Sequence, residues 1–168
     1  MLRTVVLMRH GRAVEGVGMP DEERPLTEAG RVEIEAVGRG LRTMLPKLER
    51  VAASPLVRAQ QTAAAVAEAF DRAALRACDE LAPSRDADEM WAGLLNMSGE
   101  AETLLAVGHN PSIAGLARFL LRGSQASAPS FSPGMAVCIR LSALGPGSGE
   151  LVWQHSAQEL AHLVASAT

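Results

Sequence analysis

The chain has 168 residues, 48% of them apolar and 21% charged, with a formal charge of −3. That length suits one domain over residues 1–168, able to bury a core without disulfide or metal staples, and the charge balance lacks both the basic excess of a general nucleic-acid binder and the bias of a disordered chain. With no Tyr and only 3% aromatics, an aromatic platform for stacking bases is nearly excluded.

Leu2 to Met8 is a β-branched, apolar run and predicts a strand covered on both faces of a parallel sheet. A Gly-containing loop follows from His10 to about Leu26. Thr27 is placed as an N-cap with Glu28 in the first turn; Val37, Leu41, Leu45 and Leu48 recur at helical spacing, so a helix runs to about Leu45 and stops near Pro46. Arg50 to Ala53 predicts a strand ended by Ser54-Pro55, Leu56 to Phe70 an Ala-rich helix, and Ala74 to Cys78 a third strand. Asp86 to Met97 predicts a helix, Glu102 to Val107 a fourth strand ended by Gly108-His109-Asn110-Pro111, and Ser112 to Leu121 a helix closed by Gly123. Met135 to Leu141 and Glu150 to Gln154 predict two strands joined by the hairpin sequence Gly145-Pro146-Gly147-Ser148-Gly149, and Ala157 to Ala165 a closing helix. The Ser- and Pro-rich segment Gly123 to Pro133 predicts a mobile loop. Strands alternating with helices imply an α/β domain with a mostly parallel sheet.

Cys78 and Cys138 lie far apart and no C-x-x-C exists. They read as small buried residues in a reducing compartment. The apolar run before Arg9 is too short for a signal-peptide core, and no run approaches the ~18 apolar residues of a membrane span. A cytoplasmic protein, with neither nucleic acid nor membrane as partner, is expected.

In open α/β sheets, ligands bind beyond the carboxyl ends of the strands. After the first strand stand Arg9, His10, Gly11 and Arg12; after the second Ser54, Pro55 and, one helical turn in, Arg58; after the third Glu80; after the fourth Gly108, His109 and Asn110. Three strands thus deliver Arg, His, Arg and His to one edge. A guanidinium fork binds phosphate oxygens in bidentate fashion and stays charged, so the set suits a dianion such as a phosphoryl group. Taken singly, a His after a strand is more often a hydrogen-bonded loop residue than a catalyst, and Arg58 alone reads as a solvated helix residue; four such residues at equivalent sheet positions change that.

Leu7-Met8-Arg9-His10-Gly11 resembles the Arg-His-Gly signature of the histidine phosphatase superfamily, which has the phosphoglycerate mutase-like fold. Ser54-Pro55-Leu56-Val57-Arg58-Ala59-Gln60-Gln61-Thr62 is similar to that family's S-P-x-x-R-A-x-x-T motif, and Gly108-His109-Asn110-Pro111 resembles its third motif. Three motifs in order, each at a strand end, make a specific signal. Asp21-x-x-Arg24-Pro25-Leu26-Thr27 and the chain length further resemble the small bacterial phosphohistidine phosphatases of the SixA type. The resemblance implies a three-layer α/β/α sandwich. It makes His10 the nucleophile, phosphorylated on a ring nitrogen, with Arg9, Arg58 and His109 holding the phosphoryl oxygens and Gly11 letting backbone pass close to the pocket. The other ring nitrogen of His10 is expected to donate to a loop carbonyl. Flanking charge from Arg9 and Arg58 disfavours the imidazolium and keeps the lone pair available. No cofactor or metal is expected: the chain offers no carboxylate cluster of magnesium-site type, no H-E-x-x-H and no P-loop.

For the general acid, Glu80 is the position matching the larger relatives' carboxylate and the first choice; Asp21 is the second. Either reads equally as a surface carboxylate or a partner of Arg12 or Arg24. An alkoxide leaving group needs a proton, whereas phosphohistidine can leave as neutral imidazole. Larger relatives insert a helical lid between the third and fourth strands; here only Leu81 to Ala101 separates them. An open pocket suits a phosphohistidine carried on another protein, such as a phosphotransfer domain or a phosphotransferase-system carrier in signal transduction. Arg12, Arg24, Arg85 and Asn110 are candidates for its rim. Two alternatives stay open: a phosphatase of small phosphate esters, and a phosphate-reading module without turnover.

Overall fold

The computed structural model describes residues 1–121 and 129–166. Strand β1 (Thr4–Arg9) leads to helix α1 (Glu28–Met44), β2 (Arg50–Ala53), α2 (Val57–Ala69), β3 (Ala74–Ala77), α3 (Ala87–Ser98), β4 (Thr103–Gly108), α4 (Ser112–Leu120), β5 (Ala136–Leu141), β6 (Gly149–His155) and α5 (Ala157–Ser166). Each predicted element is present, its ends shifted by one or two residues. β1 runs on to Arg9 because that residue stays in register with Gly108 and its N–H donates to Met135 O at 3.1 Å. Helix α1 starts where Thr27 Oγ1 accepts from Gly30 N at 2.9 Å.

The sheet order is β3-β2-β4-β1-β5-β6. β3, β2, β4 and β1 are parallel; β5 runs antiparallel to β1, and β6 to β5. Side chains alternate across the sheet. Val6 and Met8 pack with Ile34, Val37 and Leu41 of α1, Val66 of α2 and Leu160 of α5. Val5 and Leu7 pack with Met90 and Leu94 of α3 and Ile113 and Leu116 of α4. Helices therefore cover both faces, giving the three-layer α/β/α sandwich. Cys138 lies in the first core and Cys78 in the second, both free, and burial pushes each thiol up to about 11.

α1 crosses α5 at Gly40, where an added Cβ would overlap the backbone of Leu160. Between β3 and β4 stand a 3₁₀ turn, Asp79–Leu81, and α3, with no lid insertion. Gly123, the predicted end of α4, and much of the Gly123–Pro133 loop lie outside the described residues. The described end of that loop is held in place: Phe131 is 2% exposed and its carbonyl accepts from Arg9 Nη1 at 2.9 Å. No helix among the described residues is long and apolar enough to cross a membrane.

Candidate active site

The parallel register sets the site. Arg9 pairs with Gly108 and Ala53 with Val107, so the chain leaves β1, β4 and β2 side by side. His10 N donates to Gly108 O at 3.1 Å and Ser54 N to Val107 O at 3.0 Å. Gly134 N lies within reach of both Arg9 O and His10 O, at 3.0 and 3.1 Å, which ties the loop before β5 under the same backbone. His10 and His109 consequently face each other, with ring centroids 5.1 Å apart.

His10 Nδ1 lies 2.7 Å from Gly11 O. A carbonyl only accepts, so Nδ1 carries the proton and Nε2 the lone pair. Arg58 Nε donates to that Nε2 at 3.3 Å. The expected loop carbonyl is thus that of Gly11. Arg58, in the first turn of α2, is buried; its Nη1 donates to Asp21 O at 2.8 Å and its Nη2 to Asp21 Oδ2 at 3.1 Å. One turn further, Thr62 Oγ1 accepts from Gly11 N at 3.1 Å and donates to Arg58 O at 2.8 Å, joining the His10 loop to the helix that bears Arg58. His109 Nε2 is 2.7 Å from Ser54 Oγ, which accepts from Leu56 N at 3.3 Å. Two buried nitrogens here, Arg9 Nε and His109 Nδ1, have no hydrogen-bond partner.

Burial is the main reason that His10 titrates at about 4, with Arg58, Arg9 and Arg24 adding to it against the opposing Gly11 bond. The expected contribution of Arg9 and Arg58 is present, but it is smaller than that of burial. Burial likewise pushes His109 down to about 3, helped by His10, Arg58 and Arg9 and opposed by Asp21. Both imidazoles are therefore neutral at pH 7.

The two acid candidates part company. Asp21 sits in a 3₁₀ turn, Asp21–Glu23, and reaches Arg58; Arg24 above all, and then Arg58, hold its carboxyl below the usual range. Glu80 turns toward α3: its Oε2 is 3.4 Å from the Cys78 thiol, and its side chain fills the space over Gly93. Among the rim candidates, Arg24 is committed inward, with Nε on Val14 O at 2.7 Å and Nη1 on Asp21 Oδ1 at 2.8 Å. Arg12 faces Glu33 at 3.8 Å, while Asn110 and Arg85 are exposed. Ser54 and Thr62 stand inside a motif that assigns them no role in the sequence, and Phe131 and Gly134 carry no motif at all. The motif could have flagged the first two; nothing in the chain order ties residues 131 and 134 to Arg9.

The pattern described as the histidine phosphatase superfamily (branch 1) matches residues 5–83. A candidate phosphohistidine phosphatase SixA from Nakamurella multipartitia is 31% identical, with a TM-score of 0.79 over 91% of this chain and 95% of that one. The chain belongs to the histidine phosphatase superfamily. The protein histidine phosphatase SixA, solved with tungstate, is similar at 29% identity and a TM-score of 0.82, covering 94% of this chain and 99% of that one. The mitochondrial serine/threonine-protein phosphatase Pgam5 of Drosophila mojavensis is 36% identical over 81 residues, 47% of this chain. That match spans only 28% of the longer Drosophila protein. Within the family's common frame, the three motifs meet here at the ends of β1, β2 and β4.

Proposed function

We propose that this protein is a phosphohistidine protein phosphatase working through a phosphoenzyme on His10. The observation that carries the reading is the state of His10: Nδ1–H is fixed on Gly11 O, and the Nε2 lone pair lies beside a guanidinium. Nε2 attacks phosphorus as the bond from phosphorus to the substrate imidazole breaks. That imidazole departs neutral when its other nitrogen carries a proton. Water then attacks the phosphoryl group, and His10 leaves as neutral imidazole because Nδ1 has kept its proton throughout. Arg9 and Arg58 neutralise the equatorial oxygens, and phosphoryl transfer is governed by such positioning and charge. With the Ser54 hydroxyl donating to Nε2, His109 presents Nδ1–H as a further donor to the phosphoryl group. The tungstate held by the similar SixA is an oxyanion of comparable shape.

The substrate class follows from the missing proton. Asp21 is held ionised by Arg24 and Arg58, and Glu80 is turned to Cys78 and Gly93. Such a site is poor at protonating an alkoxide and adequate for an imidazole. The absence of a lid insertion leaves the pocket open to a histidine standing on a protein, of the phosphotransfer-domain or phosphotransferase-carrier kind. Cytoplasmic placement goes with this reading, since the two buried thiols require no oxidising compartment.

The test is a rapid acid or alkali quench with a 32P-labelled phosphotransfer domain, alongside kcat/KM on a panel of sugar phosphates and nucleotides. We expect an alkali-stable, acid-labile phosphoenzyme that His10→Ala abolishes, and a preference for the phosphodomain. A preference for a small ester overturns the substrate reading. Tight phosphate binding without any turnover overturns the enzymatic one.

A further inference from the structure

The loop joining β1 to α1 projects an apolar tip beside the site. Val17 is 93% exposed and Met19 41%, the former the most exposed large apolar side chain among the described residues. This exposure is built in. Ala13 and Leu26 form an antiparallel bridge at the loop's base, Val14 N donates to Pro25 O at 2.9 Å, and Leu26 N donates to Gln61 Oε1 at 2.8 Å. Gly16 and Gly18 take φ of +73° and +81°, and Met19 N closes a turn on Gly16 O at 3.0 Å. The Arg24 stem packs against Gly16, where a Cβ would overlap it. A tethered loop that holds a valine in water forgoes the burial that apolar side chains normally find.

The same loop ends on Asp21, which holds Arg58, which touches His10. Val17 is four residues from Asp21, at most about 14 Å of chain. An ordinary protein interface covers ~800 Å² a side, a disc of about 16 Å radius. Asp21 touches Arg58 and Arg58 touches His10, so a folded substrate covering such a disc around His10 lies against the Asp21 end of this loop, whose tip is Val17. The charge around the tip is acidic: Glu15, Glu22 and Glu23 are exposed, whereas Arg24 is spent on Asp21 and Val14 and Arg12 faces Glu33. Carboxylates therefore outnumber the free guanidiniums on this side of the site.

We propose that the 14–21 loop is the docking element for the protein substrate. Val17 and Met19 seat on an apolar patch next to the phosphohistidine, and Glu15, Glu22 and Glu23 face basic side chains around that patch. The inference rests on the reading above that the substrate is a protein, and it adds the partner's surface chemistry: apolar beside the histidine, basic around it.

The experiment compares Val17→Asp, Met19→Asp and the charge reversal Glu22→Lys/Glu23→Lys with the unsubstituted protein, and Val152→Asp on the edge strand β6 serves as control. Each is assayed on a folded phosphotransfer domain phosphorylated on its histidine and on free phosphohistidine. Val17 is exposed, so its replacement leaves the core intact. We expect KM for the phosphodomain to rise about tenfold in Val17→Asp and Met19→Asp, with kcat and the free phosphohistidine reaction within about twofold. Charge reversal lowers kcat/KM for the domain and alters its salt dependence. Unchanged KM in all three variants overturns the docking role while leaving the phosphatase reading intact. Turnover of free phosphohistidine but of no phosphodomain overturns the protein-substrate reading instead. Self-association that Val17→Asp abolishes, with domain kinetics unchanged, assigns the tip to a second copy of this chain and overturns the proposal.

Discussion

At the scale of single residues, the site holds two imidazoles neutral and one carboxylate charged. His10 titrates at about 4, so kcat/KM should stay level through the neutral range and fall below about pH 4 as Nε2 takes a proton, measured with a substrate stable at those pH values. The same shift has a stability consequence with a definite sign. The unfolded chain binds protons at His10 and His109 from the ordinary histidine value of 6.5 downward, and the folded chain only near 4 and 3. Native stability therefore declines as pH falls from about 6.5 toward 4, which denaturant midpoints at stepped pH would reveal. Asp21 separates two roles. If it only holds Arg58, Asp21→Asn lowers kcat several-fold without moving the pH profile; loss of an alkaline limb in that variant would falsify the acid-free mechanism. Arg58→Lys should cost about 10²-fold in kcat, because an ammonium cannot serve His10, Asp21 and a phosphoryl group with one planar fork.

At the scale of elements, two contacts carry testable weight. Thr62 bonds Gly11 N and Arg58 O, joining the loop after β1 to the first turn of α2. Thr62→Val removes both bonds at a fully buried position, and should cost about 1–3 kcal/mol in urea melts. It should also lower kcat on free phosphohistidine, since the two reacting loops lose their tie. Gly40 shows the packing limit: a Cβ there meets the Leu160 backbone, so Gly40→Ala must push α5 off α1. A loss of about 2–3 kcal/mol corresponds to a Tm fall of several degrees in a chain of this size. Turnover at low temperature should survive, because α5 contributes none of the site's donors.

At the scale of the whole molecule, a short α/β sandwich gathers charge at one edge without enclosing it. Among the described residues no three His, Cys, Asp or Glu side chains are grouped as a metal site requires, and in the proposed mechanism the guanidiniums carry the charge. Incubation with a chelator followed by assay should leave kcat unchanged. Much of this was legible in the chain. The apolar runs and Gly- or Pro-containing stops marked each strand and helix because those residues act locally. Arg9, His10, Arg58 and His109 were legible because each stands at a strand end or in the first turn of the helix that follows one. What was not legible was which carboxylate faces the pocket. Glu80 matched by position, yet the turn Asp79–Leu81 swings it toward Cys78, while Asp21, in a loop of no regular pattern, reaches Arg58.

The order of elements, the family motifs and the four Arg and His side chains that meet at the strand ends could all be read from the chain, since these depend on local patterning. Only the tertiary structure decided the rest. The β1–β4–β2 register brings Gly108 and Val107 carbonyls under His10 and Ser54. The loop before β5 pins Arg9 through Phe131, and burial between these strands, more than neighbouring charge, keeps both histidines neutral. Hydrogen-bond partners and desolvation are set by groups distant in the chain, and no local pattern of residues encodes them.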